Sequence, residues 1–101
     1  MKNIEGFKIG NVPHHAILVA ATSAPDYEMD RVLIADNWPD YGDYTVIRGS
    51  HCSCYDFDDT EWDAMVYSED ELVALLNSWE KSGYGAEKEI VKPALVAIGK
   101  A

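Results

Sequence analysis

Trp62-Asp63-Ala64-Met65-Val66-Tyr67-Ser68-Glu69-Asp70-Glu71-Leu72-Val73-Ala74-Leu75-Leu76-Asn77-Ser78-Trp79 is the stretch that decides the fold. Within it the apolar period switches from about 2 to about 3.6 residues. From Trp62 to Tyr67 the side chains alternate as on a strand, with Trp62, Ala64 and Val66 on one face and Asp63, Met65 and Tyr67 on the other. Ser68 and Glu71 then form an S-x-x-E capping box, in which the hydroxyl and the carboxylate satisfy free amides at a helix start. Glu69, Asp70 and Glu71 favour the positive end of the helix dipole. Leu72, Leu75, Leu76 and Trp79 follow at i, i+3, i+4 and i+7, one apolar stripe. Gly83-Tyr84-Gly85 ends the helix.

Working back towards the N-terminus, Tyr44 to Gly49 alternates as a strand, with Tyr44, Val46 and Arg48 opposite Thr45 and Ile47. Gly49 is a candidate bulge. Asn37 to Asp43, with Pro39 and Gly42, is a loop. Arg31 to Ala35 and Ala16 to Thr22 are short apolar runs of strand length, separated by turn chemistry at Ser23-Ala24-Pro25-Asp26. Residues 1–13 are a loop or a short strand around Phe7-Lys8-Ile9. Beyond the first helix, Ile90, Val91, Ala94, Leu95 and Ile98 suit one face of a second. Pro93 would break or kink that helix unless it sits in the first turn of a new one, and a strand through Leu95-Val96-Ala97-Ile98 is the alternative. Strands followed by helices make an α+β domain. The expectation is a small antiparallel sheet of about four strands, covered on one face by the C-terminal helix that starts at Ser68 and by a second helix after Gly85.

The chain has 101 residues and shows neither internal repeats nor a compositional break, so residues 1–101 form one domain. The net charge is −10, and it is unevenly placed. Asp26 to Glu71 holds 14 acidic residues against Arg31 and Arg48, a net −12, while the rest of the chain carries +2. Such a field repels nucleic acid and anionic membranes and attracts basic protein surfaces. Direct nucleic-acid binding needs clustered Lys and Arg, which the chain lacks. No apolar run approaches the roughly 20 residues of a membrane span, and the N-terminus lacks signal-peptide order, so a cytoplasmic protein is expected.

Both cysteines and one of three histidines fall in Gly49-Ser50-His51-Cys52-Ser53-Cys54-Tyr55. A bridge between Cys52 and Cys54 would close a very small, strained ring, so free thiols are expected. His51, Cys52 and Cys54 are ligand types that zinc favours, and His14-His15 could approach them in space, but Cys-x-Cys is tighter than structural zinc spacing. No cofactor is expected; zinc on Cys52, Cys54 and His51 is the alternative reading. Asp56 to Glu61 lacks the sixth-position Gly and twelfth-position Glu of an EF-hand loop and reads as a solvated acidic turn. A thiol-dependent enzyme or redox protein is a third reading, but adjacent strand residues His51 and Cys52 face opposite ways, and no catalytic motif surrounds them.

The aromatic residues Trp38, Tyr41, Tyr44, Tyr55, Trp62 and Tyr67 are interspersed with the acids. Some fill the core; those on loops beside carboxylates make a protein-binding face, with aromatic anchors and acids that steer a basic partner. The candidate contacts are Trp38, Asp40, Tyr41, Asp43, Asp56, Asp58, Asp59 and Glu61.

The run Asp43 to Phe57, with its G-S-H-C-S-C-Y string, followed by Thr60-Glu61-Trp62, resembles a segment of small phage and prophage proteins, the likeness covering about residues 31–77. The resemblance carries over no catalytic residue. It implies an accessory protein acting inside the host cell, a class in which acidic inhibitors imitate nucleic-acid charge. Its partner would be a basic host protein that handles nucleic acid, or an antiviral-defence component such as a CRISPR effector. A homodimer through a free sheet edge is a further possibility.

Overall fold

A computed structural model of the chain describes residues 2–23, 28–52 and 62–100. The strands are β1 (Lys2–Asn3), β2 (Ile17–Ser23), β3 (Glu28–Asp36), β4 (Tyr44–Cys52) and β5 (Trp62–Tyr67), and the helices α1 (Glu69–Ser82) and α2 (Ala86–Ala97). All strand pairs are antiparallel, in the spatial order β1-β5-β4-β3-β2. The four long strands are sequential neighbours, and β1 adds a two-residue edge beside β5. The fold is α+β.

Alternation along the strands divides the core. On one face Val32, Ile34, Val46 and Tyr67 pack against Leu72, Leu76 and Trp79 of α1 and Ala86, Ile90, Val91 and Ala94 of α2. On the other, Leu33, Ala35, Ile47 and Ala64 pack beneath Val12 and Ala16. The sheet is therefore covered on both faces, not one. The second cover is the irregular N-terminal segment, whose 3-10 turns at Ile9–Asn11 and His14–Ala16 lay Phe7, Val12 and Ala16 across the strands. A double cover accounts for the unbroken apolar run Val32-Leu33-Ile34-Ala35, since a strand buried on both faces needs no polar alternation. Of the two readings of residues 1–13, the loop holds around Phe7-Lys8-Ile9, and the short strand of this segment is Lys2–Asn3, paired with Val66 and Met65.

Helix α1 forms where its sequence requires. The Glu71 amide donates to Ser68 Oγ at 3.3 Å, and the Ser68 amide donates to Glu71 Oε1 at 3.0 Å. At its end the Gly83 amide donates to the Trp79 carbonyl, and a Cβ on Gly83 would collide with that same oxygen. Fully burying Leu72 and Leu76 contributes about 1.5–3 kcal/mol each.

Pro93 neither breaks α2 nor opens a new helix. It lies inside Ala86–Ala97, and no strand forms through Leu95–Ile98. The reason is its position: Pro93 and Glu89, whose carbonyl loses its donor, are both exposed, where solvent can bond that carbonyl in place of the missing amide. The opposite face, Ile90, Val91 and Ala94, is buried and holds the helix down.

Gly49 is not a bulge. The β3–β4 register runs unbroken from Glu28↔Cys52 to Asp36↔Tyr44. Glycine is required there because the Trp62 ring crosses it: an added Cβ would lie 2.6 Å from Trp62 Cε3.

Candidate functional site

The β3–β4 connection, residues 37–43, is bonded into a fixed shape. The Asn37 amide donates to the Asp43 carbonyl at 2.8 Å, and the Asp43 amide to the Asp40 carbonyl at 3.2 Å. The Gly42 amide donates to Asn37 Oδ1 at 2.8 Å. Asn37 and Gly42 take positive φ values of 54° and 88°, which Asn and Gly tolerate better than other residues. The peptide between Trp38 and Pro39 is cis.

Two contacts moor this loop to the core. Thr45, wholly buried, donates its hydroxyl to the Trp38 carbonyl at 2.6 Å. The half-buried Trp38 ring packs on the second core and meets Phe7 edge-on, with centroids 6.2 Å apart at 72°. Trp38 is thus a foundation of the loop. Tyr41, by contrast, is 93 % exposed at its tip, and Asp40 is exposed beside it.

Next to the loop lies a groove of about 490 Å³, between Pro39, Asp40 and Asp43 on one side and Ile4, Glu5 and Val66 on the other. Its walls bring together three carboxyl-bearing residues and three apolar ones. A lining of mixed apolar and acidic residues suits the aliphatic stem and cationic head of a Lys or Arg side chain. Glu5 comes from a segment distant in sequence, so it is absent from the sequence-derived set; only the pairing of β1 with β5 brings it here.

Of that set, Trp38, Asp40, Tyr41 and Asp43 share this one loop. Asp56, Asp58, Asp59 and Glu61 lie outside the described residues. The points where their segment leaves and rejoins the sheet, Cys52 and Trp62, are at the far end of β4 and β5 from residues 37–43. Over the nine residues of β4 the two ends are about 26 Å apart.

His51 and Cys52 belong to β4, extending that strand beyond Gly49, while Cys54 lies outside the described residues. His14 and His15, both exposed, lie far from the His51 and Cys52 positions of β4. They lead directly into Ile17, which pairs with Ala35, and Ala35 pairs with Thr45. That level is seven residues from Cys52 along β4, about 23 Å. Among the described residues, no group of three or more His, Cys, Asp or Glu side chains could hold a metal ion.

At the far end, on the helical face, a second cleft of about 410 Å³ is lined by Asp30, Arg48, Asp63, Tyr84 and Glu87 among others. Arg48 Nη1 pairs with Glu87 Oε2 at 2.9 Å, and its guanidinium lies 6.0 Å from the centroid of the Trp79 ring. The Arg48 side chain is 46 % exposed, so each contact contributes only about 0.5–1 kcal/mol. The ion pair ties the start of α2 to the sheet, and the ring contact ties the last turn of α1 to it. Sequence inspection gives no sign of this clamp, because its ends are 39 residues apart.

Two phenols near the helical face have raised pKa values. Burial is the main cause for Tyr67, opposed by Arg48 and reinforced by Glu71; its hydroxyl donates to Met65 Sδ at 3.4 Å. For Tyr44, burial acts first and the negative charges of Asp36 and Glu69 add to it. No helix among the described residues is long and apolar enough to cross a membrane. No protein-family model, curated protein or solved structure matches this chain.

Proposed function

We propose that this chain is a non-catalytic binding protein that docks on a basic protein surface through residues 37–43 and the groove beside them. The observation that carries this reading is the exposed Tyr41 on a loop bonded at both ends, next to a groove lined by both acidic and apolar residues. A prearranged loop loses little entropy on binding, and tyrosine supplies contact area at small rotamer cost. Glu5, Asp40 and Asp43 would receive a Lys or Arg of the partner, while the net charge of −10 speeds encounter with it. The likeness of about residues 31–77 to phage and prophage proteins narrows the expected partner to a host protein that handles nucleic acid or defends against phage, its basic site occupied in place of nucleic acid.

The test is affinity capture from host lysate with the wild-type chain, with Tyr41→Ala, and with the pair Asp40→Lys and Asp43→Lys. A control pair, Asp70→Lys and Glu80→Lys on exposed positions of α1, makes the same change in net charge. The reading expects a discrete partner whose retention falls about tenfold or more in the loop variants and stays near wild type in the control. Equal retention by all four proteins would exclude the loop as the docking element.

A further inference from the structure

Strand β2 ends the sheet opposite β1. It pairs with β3 on one side, and among the described residues no strand pairs with its other side. Edge strands are ordinarily protected by charge, proline, bulges or brevity. Edge β1 is protected by brevity. Edge β2, Ile17-Leu18-Val19-Ala20-Ala21-Thr22-Ser23, is seven residues long and has neither a charged residue nor a proline. Its one protective feature is a register shift between Ile17 and Val19, which leaves Val19 to Ser23 in regular pairing.

We infer that β2 is a dimerisation edge, pairing antiparallel with β2 of a second copy of this chain to continue the sheet through both molecules. A twofold axis through Ala21 would place Ala20 opposite Thr22 of the other copy, and Val19 opposite its Ser23. Ala20 and Thr22 are both small and exposed. Val19 and Ala21 are already packed against the helical core, which holds the strand extended.

Charge selects a second copy over a basic partner at this edge. β2 has no charged residue, and α2, which covers it, carries Glu87 and Glu89 against Lys88 and Lys92, a formal charge of zero. Among the described residues, the acids from Glu28 to Glu71 lie on β3 or beyond it, on the far side of β2. In the paired arrangement the two β3 strands stand three strand spacings apart, about 14 Å. That exceeds the roughly 8 Å screening length at physiological salt, so two chains of charge −10 can meet here.

Sedimentation equilibrium across about 10 μM to 1 mM tests this, the range in which a small edge contact associates. The expected result is a mass rising from one chain to two with concentration. The double variant Ala20→Lys plus Thr22→Lys sets lysines opposite one another across the axis and should weaken association about tenfold or more. Its circular dichroism and melting curve should match those of the wild-type monomer. A wild-type mass of one chain throughout, or a dimer that persists in a folded double variant, overturns the inference. Should the variant not fold, amide exchange of the wild type decides: protection of Val19 to Ser23 that grows with concentration supports the β2 edge, and unchanged protection overturns it.

Discussion

Replacing Thr45 by Val tests how the docking loop is held. The two side chains have nearly the same shape, so the substitution removes one hydroxyl and leaves packing almost intact. That hydroxyl lies at 0 % exposure and donates to the Trp38 carbonyl at 2.6 Å. Without it, the carbonyl faces a methyl group, and an unsatisfied buried acceptor costs about 1–3 kcal/mol. Trp38 itself is half-buried, and water can reach it in part, so the lower half of that range applies, about 1–2 kcal/mol. For a chain of this length the melting temperature should fall by about 5–15 °C. Urea unfolding followed by tryptophan fluorescence gives the free energy, and an unchanged slope confirms that the unfolded reference is the same. Thr45→Ser, which keeps the donor, should retain the bond and its loop geometry. Its own loss, about 1 kcal/mol, comes from the missing methyl group. Amide exchange should separate the two: faster in residues 37–43 for Thr45→Val, near wild type for Thr45→Ser. If Thr45→Val is as stable as wild type and the loop exchanges no faster, the hydrogen bond does not moor the loop.

Other consequences follow from single positions. Gly49→Val drives a branched side chain into the Trp62 ring, which a Cβ alone would approach to 2.6 Å, and should cost about 1–3 kcal/mol in urea unfolding; a neutral result would mean that the ring moves freely aside. Pro93→Ala restores an amide for the exposed Glu89 carbonyl and should raise stability by about 1–3 kcal/mol, offset in part by the freer unfolded chain, whereas a loss would show that Pro93 packs favourably. The phenols of Tyr44 and Tyr67 have folded pKa values above their ordinary 10.0, so the folded chain holds these protons more tightly than the unfolded chain. Their contribution is complete below pH 10 and lost as pH rises through the folded values. The melting temperature should therefore fall as pH rises above 10.0, and fall less in Tyr67→Phe. A drop of the same size in that variant would assign the effect to other groups.

The sequence carried the local architecture because local rules dictate it. The capping box at Ser68 and Glu71, the Leu72–Trp79 stripe and the alternation of Tyr44 to Ile47 and Trp62 to Tyr67 all appear in the structure at those residues. Features that depend on distant contacts were not legible. Nothing local says that Val12 and Ala16 cover the second face, and only that cover explains why four consecutive β3 residues are apolar. Pro93 misleads because helix propensity is local, while the burial of Ile90, Val91 and Ala94 is tertiary. Gly49 signals something special in a strand, but whether bulge or ring contact depends on Trp62, which the hairpin delivers. In the candidate site, the loop from Trp38 to Asp43 was legible from its Pro, Gly and acids. The separation of Trp38 as anchor from Tyr41 as exposed tip was not, since it rests on Thr45 and Phe7, and Glu5 enters only through β1.

The central claim is that the tip of residues 37–43 meets a partner protein, and site-specific photo-crosslinking tests it most directly. A photoreactive phenylalanine analogue is placed at position 41 in the expressed chain, and in a second sample at the exposed Glu80 of α1. Irradiation in host cells, followed by mass spectrometry, identifies what each position touches. The account predicts one discrete adduct from position 41, on a protein with a basic surface, abolished by Asp40→Lys plus Asp43→Lys and absent from position 80. The same diffuse products from both positions, or an adduct at position 41 unaffected by those charge reversals, would contradict it.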